Sequence, residues 1–115
     1  MTQFVYKIIS KDLWHAFQEN GSLIGAPVDL ADGFIHLSTG LQVEETAKRY
    51  FTGQADLKLL ALDADRLGPL LKWEPSRNND LFPHLYRALE IGDIVWTKDL
   101  PLEADGRHQF SGLLS

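Results

Sequence analysis

The chain alternates between short β-like runs and two amphipathic stretches. Phe4-Val5-Tyr6-Lys7-Ile8-Ile9 is aromatic and β-branched, which predicts a first strand. Ser10 supplies a hydroxyl N-cap, and a helix is predicted over residues 11–20, with Leu13, Trp14 and Phe17 as its apolar face. Ile9 and Trp14 stand in the relation of a hydrophobic staple, and Gly21 provides the stop. A loop rich in Gly, Pro and Asp follows, and residues 34–38 (Phe-Ile-His-Leu-Ser) read as a second strand.

Thr39 and Gln42 have the spacing of a capping box, which opens a predicted helix over residues 40–52 that Gly53 ends. Its apolar positions are Val43, Ala47, Tyr50 and Phe51, with Glu44/Lys48 and Glu45/Arg49 paired on the outer face. Leu57–Leu62 predicts an interior strand, and Asp63–Pro69 a turn. Leu70–Glu74 alternates like a half-exposed strand, and Pro75–Asp80 is a polar loop. Phe82–Tyr86 reads as a short extended segment, with Pro83 arguing against a central strand. Ile94–Lys98 predicts the last strand before a Pro-, Gly- and Asp-bearing tail. The order is β-α-β-α and then strands without crossover helices. It predicts an α+β fold, with two main helices on a mixed sheet.

Composition narrows this picture. At 115 residues, 44% hydrophobic and 23% charged, the chain is one globular domain, residues 1–115, rather than a disordered segment. Cysteine is absent, which removes disulfides, thiolate metal sites and a Cys nucleophile together. A net charge of −5 argues against nucleic acid as a partner, because phosphate binding relies on clustered Lys and Arg. The first residues lack a basic segment followed by an apolar run, and no run is long enough for a membrane span. The expectation is a soluble cytoplasmic protein with no membrane partner.

Two segments carry chemistry. Alternation puts Phe34, His36 and Ser38 on one strand face, beside the helix that Thr39 introduces. An imidazole, a hydroxyl and free backbone donors suit an anionic or ribose-bearing ligand. The structural alternative makes His36 a satisfied core histidine and Ser38 and Thr39 simple caps. In the second segment Phe82, His84 and Tyr86 share a face if extended, which suits stacking on a base or nicotinamide. Its alternative is a packed aromatic turn with His84 at the surface. Glu74 reads either as a general base or as a solvated strand carboxylate. His36, His84 and Glu74 lack a short ligand pair such as His-x-His, so no metal site is assigned. His15 and His108 read as surface residues.

Tyr6-Lys7-Ile8, the run from Gly33 to Thr39, the Gln42…Ala47…Phe51 helix, Leu67–Glu74 and Phe82–Tyr86 occur together and in order. In this the chain resembles the bacterial domain-of-unknown-function 952 family over nearly its whole length. That family is placed by fold with the ADP-ribosyltransferases, whose split-sheet core binds NAD in a cleft. Ile35-His36-Leu37-Ser38 is also similar to the second-strand His motif of the RNA 2′-phosphotransferases of that superfamily. The resemblance implies an ADP-ribosyltransferase-like split mixed sheet. It further implies His36 and Ser38 on the nicotinamide-ribose side of a cleft, with Tyr6-Lys7 on the adenosine side.

The chain departs from that pattern in three places. Lys7 stands where NAD-consuming relatives usually have His or Arg. His84 stands, by order, where many have a catalytic Glu. Arg87-Ala88 follows Tyr86 where the family often has Gly-Pro. The expectation is therefore a domain that binds NAD or a related nucleotide. His36 and His84 are the catalytic candidates, and Lys7, Ser38, Thr39 and Tyr86 the ligand-binding ones. Transferase or hydrolase activity stands open against a non-catalytic ligand-binding or protein-interaction module. An RNA-processing role is disfavoured by the acidic charge.

Overall fold

A computed structural model describes residues 3–114; the reading of Met1 and Thr2 falls outside the described residues. Strand β1 (Phe4–Ser10) runs into helix α1 (Lys11–Asn20), whose first turn is capped by the Ser10 hydroxyl accepting from Leu13 N–H. Gly21 closes α1 with φ at 78°, the left-handed conformation that a C-terminal glycine supplies without a Cβ clash. Both ends of α1 match the sequence expectation. Next come β2 (Ser22–Leu23), α2 (Pro27–Asp32), β3 (Ile35–His36), β4 (Ser38–Thr39) and α3 (Val43–Tyr50). The second half holds β5 (Leu57–Asp63), α4 (Ala64–Leu67), β6 (Leu71–Pro75), β7 (Leu81–Leu85), β8 (Leu89–Glu90) and β9 (Ile94–Leu100).

The strands form a four-stranded sheet ordered β4-β1-β5-β9, a three-stranded sheet ordered β3-β7-β6, and the pair β2-β8. Every pairing among the described residues is antiparallel, so the fold is α+β but its sheets are not mixed. Antiparallel pairing needs no helical crossover, which is why the strands after residue 56 are joined without long helices. The short α2 and α4 were not anticipated; the expected turn after Asp63 contains α4, with Asp63 itself accepting from Asp65 N–H.

The four-stranded sheet separates two apolar layers. Val5 and Ile9 of β1 and Leu60 and Leu62 of β5 face Trp14, Phe17, Ile35, Leu37, Leu85 and Leu89. The alternate residues Tyr6, Ile8, Leu57, Leu59 and Ala61 face Val43 and Ala47 of α3 and Phe110 of the tail. Period-two alternation thus lets one strand pair feed both layers. Lys7 shares a face with Val5 and Ile9, which points a charged side chain into the first layer.

Residues 34–38 are not one strand. Ile35 and His36 pair with Leu85 and His84 in the smaller sheet, whereas Ser38 pairs with Tyr6 in the larger one. The chain changes sheets at Leu37, and Pro83 explains where. Leu37 N–H donates to the Pro83 carbonyl, so the reciprocal bond would need the N–H that proline lacks. The same geometry corrects the expectation for Pro83, which does lie in the central strand β7. Its missing donor faces the end of two-residue β3, and the ladder to β6 runs on intact from Leu71 to Pro75.

Helix α3 is shorter than predicted at both ends. Gln42 is its N-terminal flanking residue and Phe51 its C-terminal one, so Gly53 lies beyond the stop. Only half of the expected capping box forms: Gln42 Oε1 accepts from Thr39 N–H, and the Thr39 hydroxyl caps nothing. His108 is a further correction, because it is buried in the tail with Nε2 against the Gln54 carbonyl rather than exposed. His15 is exposed, as expected.

Candidate functional site

The cross-strand register assembles the site. His36 lies opposite His84, and Lys72 and Glu74 of β6 lie opposite His84 and Phe82. Even-numbered residues of these strands therefore share one sheet face, while Ile35, Leu71 and Leu85 pack into the core on the other. On the shared face the His36 and His84 rings lie 5.5 Å apart. Phe34 stacks on His84 at 4.2 Å and touches His36 at 4.6 Å and Tyr86 at 5.2 Å.

Beneath His36 lies a buried ionic cluster. Asp29 is shut from solvent and receives Lys7 Nζ at 2.9 Å, His36 Nδ1 at 2.7 Å, His36 N–H at 3.0 Å and Ala26 N–H at 2.8 Å. Burial pushes the Asp29 carboxyl up, but the His36 hydrogen bonds and the Lys7 charge outweigh it and hold the group at about 2. Burial pushes the Lys7 ammonium down from its ordinary value, and Asp29 opposes that shift. Lys7 also donates to the His36 carbonyl at 3.1 Å. On its other side, His36 Nε2 meets Asp32 at 3.0 Å. Only a doubly protonated ring has an N–H for each carboxylate.

The backbone around Asp29 is built for this contact. Pro27 opens α2 and Gly33 ends it in the left-handed conformation, with the Asp29 carboxylate folding back onto Ala26 N–H. A Cβ on Gly25 would fall 2.5 Å from the Asp29 Cβ, so this approach requires glycine. Sequence reasoning missed Asp29 and α2 altogether. The signal was present in Ala26-Pro27-Val28-Asp29 followed by Gly33: proline at the first helical position, an acid at the third, and a glycine stop.

The second histidine is held differently. His84 is buried and its Nδ1 lies 2.9 Å from Glu74 Oε1, which also accepts from the Tyr86 hydroxyl at 2.6 Å. The Tyr86 hydroxyl, and after it His84, hold the Glu74 carboxyl below its ordinary range, while Glu74 pushes the Tyr86 hydroxyl up. With Nδ1–H committed to Glu74, Nε2 is the ring nitrogen without a partner among the described residues. This is the carboxylate–imidazole arrangement that fixes a tautomer for proton transfer. His36 has no such free nitrogen.

A cavity of about 590 Å³ opens against these groups. Lys7, His36, Ser38 and His84 all line it, with Asp32, Thr46 and Arg77 as further polar walls and Tyr6, Tyr50, Phe51 and Phe82 as aromatic ones. Two sequence candidates are not on that wall. Tyr86 bonds Glu74 and packs against Phe34, and Thr39 is tied by its backbone to Gln42. Thr46 and Arg77 were not singled out from the sequence; Arg77 lies in a loop that reads only as polar.

The fold and site define a small antiparallel α+β protein with a histidine-lined cavity over a buried ion cluster. The chain belongs to the family described as "Protein of unknown function (DUF952)", which matches residues 8–97. It is similar throughout to protein CC0527 of Caulobacter crescentus. The crystal structure of that protein is 50% identical, with a TM-score of 0.94, 96% of this chain and 97% of that one being covered. Its solution NMR structure gives 50% identity and a TM-score of 0.87, with 97% of each chain covered. A double-mutant crystal form gives 49% and 0.93. No curated protein matches the chain. Among the described residues no helix is long and apolar enough to cross a membrane.

Proposed function

We propose that the cavity binds NAD or a related nucleotide, with His84 as the group able to move a proton. The observation that carries this reading is the meeting of His36, Ser38 and His84, drawn from two distant segments, on one cavity of about 590 Å³. That volume lies within the range of small-molecule sites, which extends to about 1,000 Å³. In this reading His36, held by Asp29 and Asp32, shapes the cavity wall beside the ribose, and Ser38 bonds a carboxamide or hydroxyl. Tyr50 and Phe82 take the stacking role first given to Tyr86, since they line the cavity. Lys7 supports the site from beneath, its ammonium committed to Asp29 and the His36 carbonyl. The fitting chemistry is transfer or hydrolysis at the ribose, by analogy with the ADP-ribosyltransferase fold.

A non-catalytic binding module is the second reading, favoured by the double carboxylate contact that occupies both nitrogens of His36. Thermal denaturation with NAD and with ADP-ribose tests both. A ligand at 100 times its Kd adds about 2.7 kcal/mol. A raised Tm together with nicotinamide release supports the enzyme, and a raised Tm without release supports the module. No shift with either compound rejects the nucleotide.

A further inference from the structure

Ser38 and Arg77 share one oxygen on the cavity wall, and the hydrogen-bond directions around it are fixed. Thr46 Oγ1 donates to the Gln42 carbonyl at 3.1 Å, and a carbonyl can only accept. In its 2.9 Å contact with Ser38 the Thr46 oxygen must therefore accept, so the Ser38 hydrogen points to Thr46. Ser38 Oγ is left with lone pairs and no hydrogen for a ligand. It recognises a donor.

Arg77 presents the opposite character. Its Nε is held by Glu45 at 3.2 Å, and its guanidinium carbon lies over the Phe82 ring, 4.8 Å from the ring centre. The two terminal nitrogens meet, among the described residues, only Thr46 Oγ1, at 3.5 and 3.4 Å. That oxygen already accepts from Ser38 and has two lone pairs, so most of the four terminal N–H groups lack a good acceptor. The side chain is nonetheless only 12% exposed, and Arg77 lines the cavity. Asn78 and Asn79 follow it with φ at 56° and 65°, a left-handed turn that asparagine tolerates and that fixes where Arg77 leaves the backbone. An oriented guanidinium fork with open donors suits a phosphate. The half-exposed Glu45 neutralises part of its charge without covering the fork.

We propose that Arg77 anchors a phosphate of the ligand while Ser38 accepts from a neighbouring sugar hydroxyl, so that the cavity selects a phosphorylated sugar. The inference rests on the nucleotide reading of the same cavity and names the part of the ligand that the Arg77–Thr46–Ser38 wall recognises. Isothermal titration of ADP-ribose, ribose 5-phosphate, ribose and inorganic phosphate into wild type, Arg77→Ala, Arg77→Lys and Ser38→Ala tests it. The unliganded Tm of each variant checks the fold.

Ribose 5-phosphate is expected to bind at least about tenfold more tightly than ribose or inorganic phosphate. Arg77→Ala should weaken ribose 5-phosphate and ADP-ribose by roughly tenfold to a hundredfold. Arg77→Lys, which keeps the charge but loses the fork, should fall between. Ser38→Ala should weaken ribose 5-phosphate but leave inorganic phosphate unchanged. Equal binding of ADP-ribose by wild type and Arg77→Ala overturns the inference and leaves the nucleotide reading standing. Ribose 5-phosphate binding that depends on Arg77, with no binding of NAD or ADP-ribose, keeps the subsite and ends the nucleotide reading. No binding of any phosphorylated probe ends both. If Arg77→Ala does not fold, unchanged binding by Arg77→Lys overturns the forked contact.

Discussion

The ammonium of Lys7 stands 2.9 Å from the Asp29 carboxylate with both side chains closed to water. The two partners are unequally supported. Among the described residues Asp29 has three further donors, from Ala26 and His36, whereas Lys7 has only the His36 carbonyl besides. Asp29→Ala leaves a buried cation with one acceptor and orphans the Ala26 and His36 donors, so it should cost about 3–5 kcal/mol. Lys7→Met removes the buried ammonium and leaves Asp29 hydrogen-bonded, so it should cost clearly less. Denaturant midpoints at constant m-value measure both. Equal losses would show that the pair is not asymmetric in this way.

The pH dependence follows from the same carboxylate. Its folded value of about 2 lies below the ordinary 3.8, so the folded state binds its proton less readily than the unfolded chain. The resulting stability is fully present above pH ~3.8 and is lost as pH falls through about 2; the difference is worth roughly 2 kcal/mol. Asp29→Asn should therefore flatten the stability profile between pH ~4 and ~2 relative to wild type, whatever it does at neutral pH. Chemical denaturation at a series of pH values reads this directly. A mutant profile parallel to wild type would mean that other carboxylates, such as Asp93 beside Arg87, carry the acid limb.

The elements legible in the sequence were those specified locally. Ser10, Gly21 and the Leu13/Trp14/Phe17 stripe define α1 without reference to the rest of the chain, and α1 occupies the predicted residues. The run Leu57–Leu62 is apolar except for Lys58, and it forms an interior strand. What was hidden depends on partners far along the chain. That β3 stops at His36 is decided by Pro83, and that Pro83 is tolerated in a central strand is decided by how short β3 is. The site was half legible for the same reason. Strand periodicity could group His36 with Ser38 and His84 with Tyr86, but only the register sets His36 against His84. Asp29 shows no amphipathic pattern, because the charged groups that hold it come from β1 and β3 rather than from its own helix.

The N-terminus of α3 offers a test of where the sequence motif misleads. Thr39 has the composition of an N-cap, yet Gln42 is the residue that spans the junction, accepting from Thr39 N–H and donating from Nε2 to the Leu81 carbonyl. Gln42→Ala should cost about 1–2 kcal/mol by releasing two hydrogen bonds. Thr39→Ala should stay within roughly 0.5 kcal/mol, well short of a lost cap, because no cap bond is removed. Paired melting curves suffice. A larger loss in Thr39→Ala would reinstate its hydroxyl as the cap.

The two histidines should separate stability from ligand handling. Both ring nitrogens of His36 bond to carboxylates, one of them buried beneath it, so His36→Ala removes contacts that the Asp29 cluster uses in the absence of ligand. A loss of about 1–3 kcal/mol is expected in the unliganded protein. His84 uses one nitrogen on Glu74, a carboxylate exposed enough to be rehydrated when the ring is gone, and keeps the other free. His84→Gln, which retains much of the buried volume, should therefore spare the fold and, on the proposed enzymatic reading, abolish nucleotide turnover. On the same reading, Glu74→Gln should lower turnover through the His84 tautomer while leaving ligand affinity nearly unchanged. The separating measurement is Tm and nicotinamide release recorded on all three variants with and without NAD. Turnover that survives in His84→Gln but disappears in a folded His36→Ala would reverse the assignment and make His36 the proton-transfer group.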